Sequence, residues 1–215
     1  MTVWLRPEPE RPRRGVPLTR DRIVATAVTL LDEQGADGLT MRRLAERLAV
    51  TSTALYWHVT TKDDVLDLAL DHVFGEVSLP DTSNDWRADV HALTARWRAV
   101  MLRHAWAPGL IGRPMLGPNV LARTEFLQAA LVRGGFADRA LAVLTRVVAN
   151  YVIGAAVTEA TAHRADAQRQ VAADPETYPT LIASGHLDVG RWSDDDLFER
   201  GLAAILAAPQ PGPEK

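Results

Sequence analysis

The fold is decided by residues 39–62, LTMRRLAERLAVTSTALYWHVTTK. Apolar residues in 41–48 recur at helical spacing, so that segment predicts a short helix with an apolar face. The next apolar group follows after only Val50 and Thr51. Two short helices joined by so tight a turn are typical of a helix-turn-helix module.

Helices are also predicted on either side of this module. Upstream, an apolar pattern at helical spacing begins after Thr19 and stops at Gly35, which predicts a first helix of about 16 residues with Thr19 as its cap. Downstream, Thr61 followed three residues later by Asp64 approximates a capping box. A fourth helix is therefore expected from about Lys62 to Val77.

In a helix-turn-helix the second helix lies in the major groove with its first residues at base edges, while the preceding helix crosses the DNA backbone. Short polar side chains at the start of the second helix suit that role. Thr40 begins the preceding helix, where free N–H groups and the helix dipole attract a phosphate. The residues expected to contact DNA are Thr40, Arg42, Arg43, Thr51, Ser52, Thr53, Tyr56, Trp57, His58 and Lys62.

Three large amphipathic side chains in succession, Tyr56, Trp57 and His58, cannot all point into one small core, because successive helical residues are about 100° apart. At least one must face outward, where it can donate to phosphate oxygens. The alternative is partial burial of Tyr56 and Trp57 with His58 merely exposed. For Arg42, Arg43 and Lys62 the alternative is an ordinary solvated surface.

The rest of the chain is also expected to be helical, which makes the fold class all-α. Further helices are predicted at about 84–105, 118–134, 137–163 and 193–208, with a polar, proline-broken stretch at 164–192 that contains a short helix after Pro175. The expected organisation is a flexible Arg/Pro-rich arm (1–17), the helix-turn-helix domain (18–63), a ligand-binding and dimerisation domain (64–208) and a tail (209–215).

Composition limits the function classes. The chain has 215 residues, 47% of them hydrophobic, and no cysteine, so it can bury a core, and no thiol can act as nucleophile or metal ligand. Up to Lys62 ten basic residues stand against seven acidic ones (+3), and the remainder carries 14 basic and 20 acidic residues (−6). This asymmetry favours a polyanion at the N-terminal end, although a difference of this size also arises by chance. A cytoplasmic protein without a membrane segment, metal site or cofactor is expected.

The motif LT-x-R-x-LA-x-x-L-x-V followed by ALYWHV-x-x-K resembles the tetracycline-repressor (TetR) family of transcription regulators. Weaker resemblance continues through PGL at 108–110, GPNVLARTEFLQAALVRGGF at 117–136 and YVIGAAVTE at 151–159. The resemblance implies an all-helical homodimer that binds a palindromic operator and is released by a small effector. Effector binding would separate the two reading helices beyond the spacing of successive major grooves, about 34 Å.

The chain departs from the family pattern where the tetracycline repressor holds its drug and magnesium with two histidines and an asparagine. Those positions correspond to Val77, Leu93 and Ile111, which are all apolar, so magnesium-chelated tetracycline is not the expected effector. A bulky, mainly apolar molecule suits the implied pocket better. The expected ligand-binding residues are Val77, Leu93, Trp97, Met101, Trp106, Leu110, Ile111, Phe126, Leu127 and Asn150, with Glu159 as a further polar contact.

Three other functions stay open at this point. An enzyme is disfavoured because the sequence has no metalloprotease, nucleophile-elbow or phosphate-loop motif. Asp67, Asp71 and His72 share the fourth helix but are better explained as a solvated face. A protein-interaction module of the same fold would leave the polar start of the reading helix without a use, and an activator cannot be separated from a repressor by sequence.

Overall fold

The computed structural model describes residues 17–110, 112–113, 116–160, 164–188 and 190–207. This part of the chain is helical, as predicted. The helices are α1 (Arg20–Gly38), α2 (Met41–Leu48), α3 (Ser52–Tyr56), α4 (Lys62–Gly75), α5 (Trp86–Arg103), α6 (Pro118–Arg133), α7 (Asp138–Ala160), α8 (Arg164–Ala173), α9 (Pro179–Ser184) and α10 (Asp194–Leu206), with a 3-10 turn at Pro108–Leu110.

The first three helices form an N-terminal unit around a small apolar core. Leu44, Leu55 and Val59 are each at most 1% exposed in it. The first helix is broken near its end by Gly35, whose φ of 69° lies in the left-handed region that glycine adopts at little cost. This break turns the chain toward α2, whose own cap is Thr40.

The fourth helix belongs to two packing units at once. It packs against α1 on one side and against α5 and α6 on the other. Its buried residues therefore include both Val65 and Leu66 near its start and Val73 and Phe74 near its end. Because of this shared position, a shift of α4 relative to the body also moves the N-terminal unit.

The body is built from α5, α6, α7 and α10, which pack against one another around fully buried residues such as Trp97, Leu131 and Leu202. Within the described residues, α7 is the one helix long and apolar enough to cross a membrane by length and composition, although only 22% of its most apolar window is buried. Val143 (55% exposed) and Val147 (41%) lie on its uncovered side.

Most helix positions agree with the sequence predictions, and the differences fall in the polar stretch. The predicted short helix after Pro175 begins instead at Pro179, and α8 forms where no regular helix was expected. No described side chain of α8 or α9 is buried. Neither segment carries the apolar periodicity from which the other helices were predicted. The arm predicted at 1–17 falls almost wholly outside the described residues, and so does the predicted tail at 209–215.

Candidate nucleic-acid interface and effector site

The start of α3 presents a row of exposed hydroxyl groups. Thr51 caps the helix, with its side chain accepting from the backbone N–H of Ala54 at 3.2 Å. Ser52 and Thr53 are exposed in the first turn. On the opposite side of α3, Leu55 is 0% exposed and fixes the helix to the core. This arrangement leaves the polar side chains directed to solvent, as contact with base edges requires.

The aromatic group after α3 lies mostly outside the core. Tyr56 is 50% exposed and Trp57 74% exposed, whereas His58 is half-buried. Burial of an amphipathic ring against the core is the usual outcome, so an indole this exposed has no packing role in the isolated chain. The alternative of partial burial of Trp57 is therefore disfavoured by the geometry, and both rings are available to a partner.

The basic side chains expected at the interface already make contacts within the protein. Arg42 pairs with Glu46 at 2.8 Å, and Arg43 donates to the Gln34 side chain and to the Gly38 carbonyl. Lys62 Nζ donates to the Ala36 carbonyl at 2.9 Å. Thr40 is exposed and its hydroxyl accepts from the Arg43 N–H at 3.2 Å. Arg43 and Lys62 donate only to uncharged groups, so their positive charges are not neutralised by these contacts and can attract phosphate.

The expected effector residues fall into two groups. The first group is buried between α4, α5 and α6 and consists of Val77, Leu93, Trp97, Met101 and Leu127, with Phe126 half-buried beside them. Leu93, Trp97 and Met101 are spaced four residues apart, so they share one face of α5. The structure therefore brings these residues together around one apolar region.

The second group lies elsewhere. Trp106 is buried, but its indole N–H donates to Asp32 of α1 at 2.7 Å, which places its polar edge at the junction with the N-terminal unit. Asn150 is exposed and lines an open groove of about 340 Å³ between α7 and α10. Glu159 is held there by Arg98 at 2.6 Å. Leu110 is half-buried on the 3-10 turn, and Ile111 lies outside the described residues.

A buried carboxylate connects α4 to α6. Asp71 is 5% exposed and accepts from the Val120 N–H at 3.0 Å and from the Asn119 side chain at 2.9 Å. It caps α6, which begins after Gly117 without a capping side chain of its own. Burial raises the pKa of Asp71 above its usual value. The expected solvated face is correct for exposed His72 but wrong for Asp71, because the partner groups come from a segment more than forty residues away.

Residues between α5 and α6 make polar contacts with α1 and with α4 at two more places. Arg113 contacts Asp67 at 2.6 Å and Asp63 at 3.1 Å, both on α4. His104 lies 2.7 Å from Asp32 of α1 and 3.2 Å from Glu76. These contacts connect the segment between α5 and α6 directly to α1 and α4.

Sequence reasoning missed one residue of the apolar region, Arg123. It is 6% exposed and lies within the first group, over the rings of Trp97 and Phe74. The signal was a single arginine inside the otherwise apolar face of a helix. In the described part of the chain, no group of three or more His, Asp or Glu side chains is placed so as to hold a metal ion.

Comparison with known proteins follows the same division of the chain. Residues 23–69 match the family model "Bacterial regulatory proteins, tetR family", and residues 79–208 match "Tetracyclin repressor-like, C-terminal domain". An HTH-type transcriptional regulator of Saccharopolyspora erythraea is 44% identical, over 95% of this chain and 89% of its own. The HTH-type transcriptional repressor DrrR1 of Streptomyces coeruleorubidus is 33% identical, over 87% of this chain and 74% of its own.

A similar solved structure is that of the TetR family protein ActR of Streptomyces coelicolor in complex with actinorhodin. It is 30% identical, with a TM-score of 0.79 over 90% of this chain and 95% of that one. Both family models and the identities agree with the geometry of α2 and α3 and with the all-helical body. They also confirm the expectation that the chain is not an enzyme. The chain belongs to the TetR family of transcriptional regulators, with a tetracycline-repressor-like C-terminal domain.

Proposed function

We propose that this regulator is a cytoplasmic repressor that binds a palindromic operator as a homodimer and is released by a small, mainly apolar effector. The observation that carries the DNA-binding part is the exposed surface of α3, where Ser52, Thr53 and Tyr56 face solvent; Arg42 and Arg43 of the preceding helix are exposed as well. Membership of a DNA-binding family and a relative named as a repressor support it.

The homodimer is supported by the uncovered side of α7. A helix of mean hydropathy 1.8 in its most apolar window leaves Val143, Val147 and Val157 exposed in the single chain. Exposed apolar side chains on one helix face indicate an interaction surface. A second copy of the chain, packing α7 and α10 against their counterparts, would cover it without a membrane.

The effector is proposed to bind in the apolar region between α4, α5 and α6. Val77 and Leu93 are buried there where the tetracycline repressor uses polar ligands, so magnesium-chelated tetracycline is not the proposed effector. Because the effector favours the arrangement that does not bind DNA, operator and effector weaken each other's binding to the same extent.

Gel-shift titration of the full-length protein against the DNA upstream of its own gene tests the proposal. We expect salt-sensitive, sequence-selective binding, with two chains per operator when the complex is weighed by light scattering. Ser52→Ala should reduce the preference for the operator over mutated operators, and Tyr56→Ala should weaken binding to all sequences about equally. Thr82→Ala, an exposed change in the loop between α4 and α5, is the control that leaves both unchanged.

Each part of the proposal has its own contrary result. Sequence-independent binding that is unaffected by Ser52→Ala and Tyr56→Ala would exclude α3 as the reading helix. A single chain per operator would exclude the homodimer. Tight binding of magnesium-tetracycline by the unmodified protein would exclude the apolar effector site.

A further inference from the structure

A positive charge is buried in the apolar region between α4, α5 and α6. The Arg123 guanidinium carbon lies 3.4 Å from the centroid of the Trp97 ring and 4.6 Å from that of the Phe74 ring. These two rings contact each other edge to face, with centroids 5.9 Å apart. Arg123 is 6% exposed and Trp97 is fully buried, so the charge has little contact with water.

Arg123 has no acidic partner in the described part of the chain. No hydrogen bond or ion pair joins its guanidinium to another described residue, and its Nε is a buried donor without an acceptor. The other buried charged groups of the body are satisfied: Asp89 pairs with Arg133, and Asp71 accepts from the α6 backbone. Arg123 therefore differs from these two buried carboxylates of the described chain, because its charge has no partner.

A second donor in the same cluster is also unsatisfied. The Trp97 indole Nε1 is buried and has no hydrogen-bond partner among the described residues. Buried polar groups are almost always hydrogen-bonded, and an exception marks a strained or functional position. Arg123 and Trp97 thus offer two neighbouring donors that lack an acceptor. Because a guanidinium is positively charged, the acceptor that suits it best is an anion.

Burial of an unpaired charge is costly, and stacking on two aromatic rings offsets only part of that cost. The same burial lowers the pKa of Arg123 to about 9, because it disfavours the charged form. At neutral pH the guanidinium is still protonated. A ligand that brings a negative charge into this region would gain a desolvated, pre-positioned partner.

We propose that the effector is an organic anion, an apolar body bearing a carboxylate or comparable acidic group, whose charge is bound by Arg123 with Trp97 Nε1 as a second donor. This inference rests on the proposed function, since it names the chemical class of the effector in the same apolar region. The apolar body lies against the face of α5 that carries Leu93 and Met101 and against Leu127, one turn beyond Arg123 on α6.

Two fluorescent probes that differ by one charge test the proposal on the full-length protein. Anilinonaphthalene sulfonate carries an aromatic body and a sulfonate, and N-phenylnaphthylamine is the same body without the anion. Wild-type protein should bind the sulfonate at least about tenfold more tightly than the neutral probe, the factor that corresponds to roughly one charge-assisted hydrogen bond. Binding is titrated in the absence of DNA.

Arg123→Met removes the charge while keeping a side chain of similar length. It should weaken sulfonate binding about tenfold and leave binding of the neutral probe within about twofold. Arg96→Met is the matched control, because Arg96 precedes Trp97 on α5 but is exposed and bonds to the Ser78 carbonyl. It removes one arginine charge from α5, the helix that carries Trp97, and should change neither probe.

Thermal unfolding separates a binding role from a structural one. An unpaired buried charge destabilises the free protein, so Arg123→Met should unfold at the same or a higher temperature than wild type. A lower unfolding temperature together with unchanged sulfonate binding would overturn the proposal and leave Arg123 as a packing residue. Equal affinity of wild-type protein for the two probes, or equal sulfonate affinity of wild type and Arg123→Met, would overturn it as well.

The probe titration is independent of operator binding, so the two proposals fail separately. Selective sulfonate binding that requires Arg123, in a protein that does not bind its upstream DNA, would sustain the anion site and refute the repressor. Operator binding by a protein that binds both probes equally would sustain the repressor and refute the anion site.

Discussion

The first four helices and helix α6 of the body satisfy their N-terminal ends in different ways. Each of the first four helices begins at a threonine, and the side chains of Thr19, Thr40, Thr51 and Thr61 all accept from a backbone N–H three residues ahead. In the body, α6 begins at Gly117 without a capping side chain and depends on Asp71 of α4. The first arrangement is local in sequence, whereas the second joins segments far apart along the chain.

We therefore expect the two regions to lose stability through different kinds of substitution. The N-terminal unit is small, so its stability depends on a few fully buried apolar side chains. The body has a larger core, and its links to α4 include polar contacts that depend on exact fit between distant segments. Three substitutions test this contrast, in order of their expected effect on the free energy of unfolding.

The largest effect is expected from Leu55→Ala. Leu55 is 0% exposed and is the one buried residue of the five-residue α3. Its truncation should lower the free energy of unfolding by about 3 kcal/mol, through lost apolar burial and the cavity that remains. Urea denaturation, monitored by circular dichroism, measures this free energy of unfolding. Leu79→Ala, at a residue 43% exposed, is the control and should stay within about 0.5 kcal/mol. A loss for Leu55→Ala below about 1 kcal/mol would contradict the view that few side chains stabilise the N-terminal unit.

A smaller effect is expected from Gly117→Ala. An added Cβ would lie 2.1 Å from the Asp71 carboxylate oxygen, although the backbone at Gly117, with φ of −71°, accepts any residue. The clash should cost about 2 kcal/mol in the free energy of unfolding. Gly109→Ala is the control, because an added Cβ there meets no atom within 4 Å.

A double-mutant cycle assigns the cost of Gly117→Ala to the contact with Asp71. In an Asp71→Ala background the same glycine substitution should cost at least about 1 kcal/mol less, since the clashing carboxylate is gone. Equal costs in the two backgrounds would mean that the carboxylate is not the clashing group, since Asp71→Ala keeps the Cβ that lies 2.6 Å from the added one.

The smallest effect on stability is expected from Trp57→Ala. Trp57 is 74% exposed, so its removal should change the free energy of unfolding by no more than about 0.5 kcal/mol. Operator affinity should nevertheless fall, by about threefold or more, if the indole contacts the DNA backbone. Trp192→Ala, a tryptophan in the body whose indole donates to the Ser184 carbonyl, should leave operator affinity unchanged. Unaltered operator binding by Trp57→Ala would remove this residue from the interface.

The same contrast explains how much could be predicted from the sequence. The caps at Thr19, Thr40 and Thr61 and the tight turn before α3 are read correctly because each depends on neighbours within four residues. Helical geometry required at least one of Tyr56, Trp57 and His58 to face outward, and the structure shows that Trp57 is the most exposed of the three. The predicted DNA contacts and effector residues stay predictions, because no DNA or effector is bound.

Non-local contacts are the part that the sequence did not show. Asp71 looks like any carboxylate on a solvated helix until α6 is placed against it, and Trp106 looks like a pocket residue until Asp32 of α1 is found beside its indole. Arg123 stands alone on an otherwise apolar helix face, but nothing local shows that the rings of Phe74 and Trp97 cover it. In each case the deciding neighbour lies on a different helix.

The capping of α6 by Asp71 also bears on how the chain unfolds. Because the first turn of α6 is completed by a side chain of α4, and α4 is itself packed on α1, we expect α3 and the body to unfold as one cooperative unit. The predicted boundary near residue 63 would then separate two activities without separating two folding domains. A heat-denaturation curve should accordingly show a single transition, and loosening of the contact between α4 and α6 should expose α3 to hydrogen exchange as well.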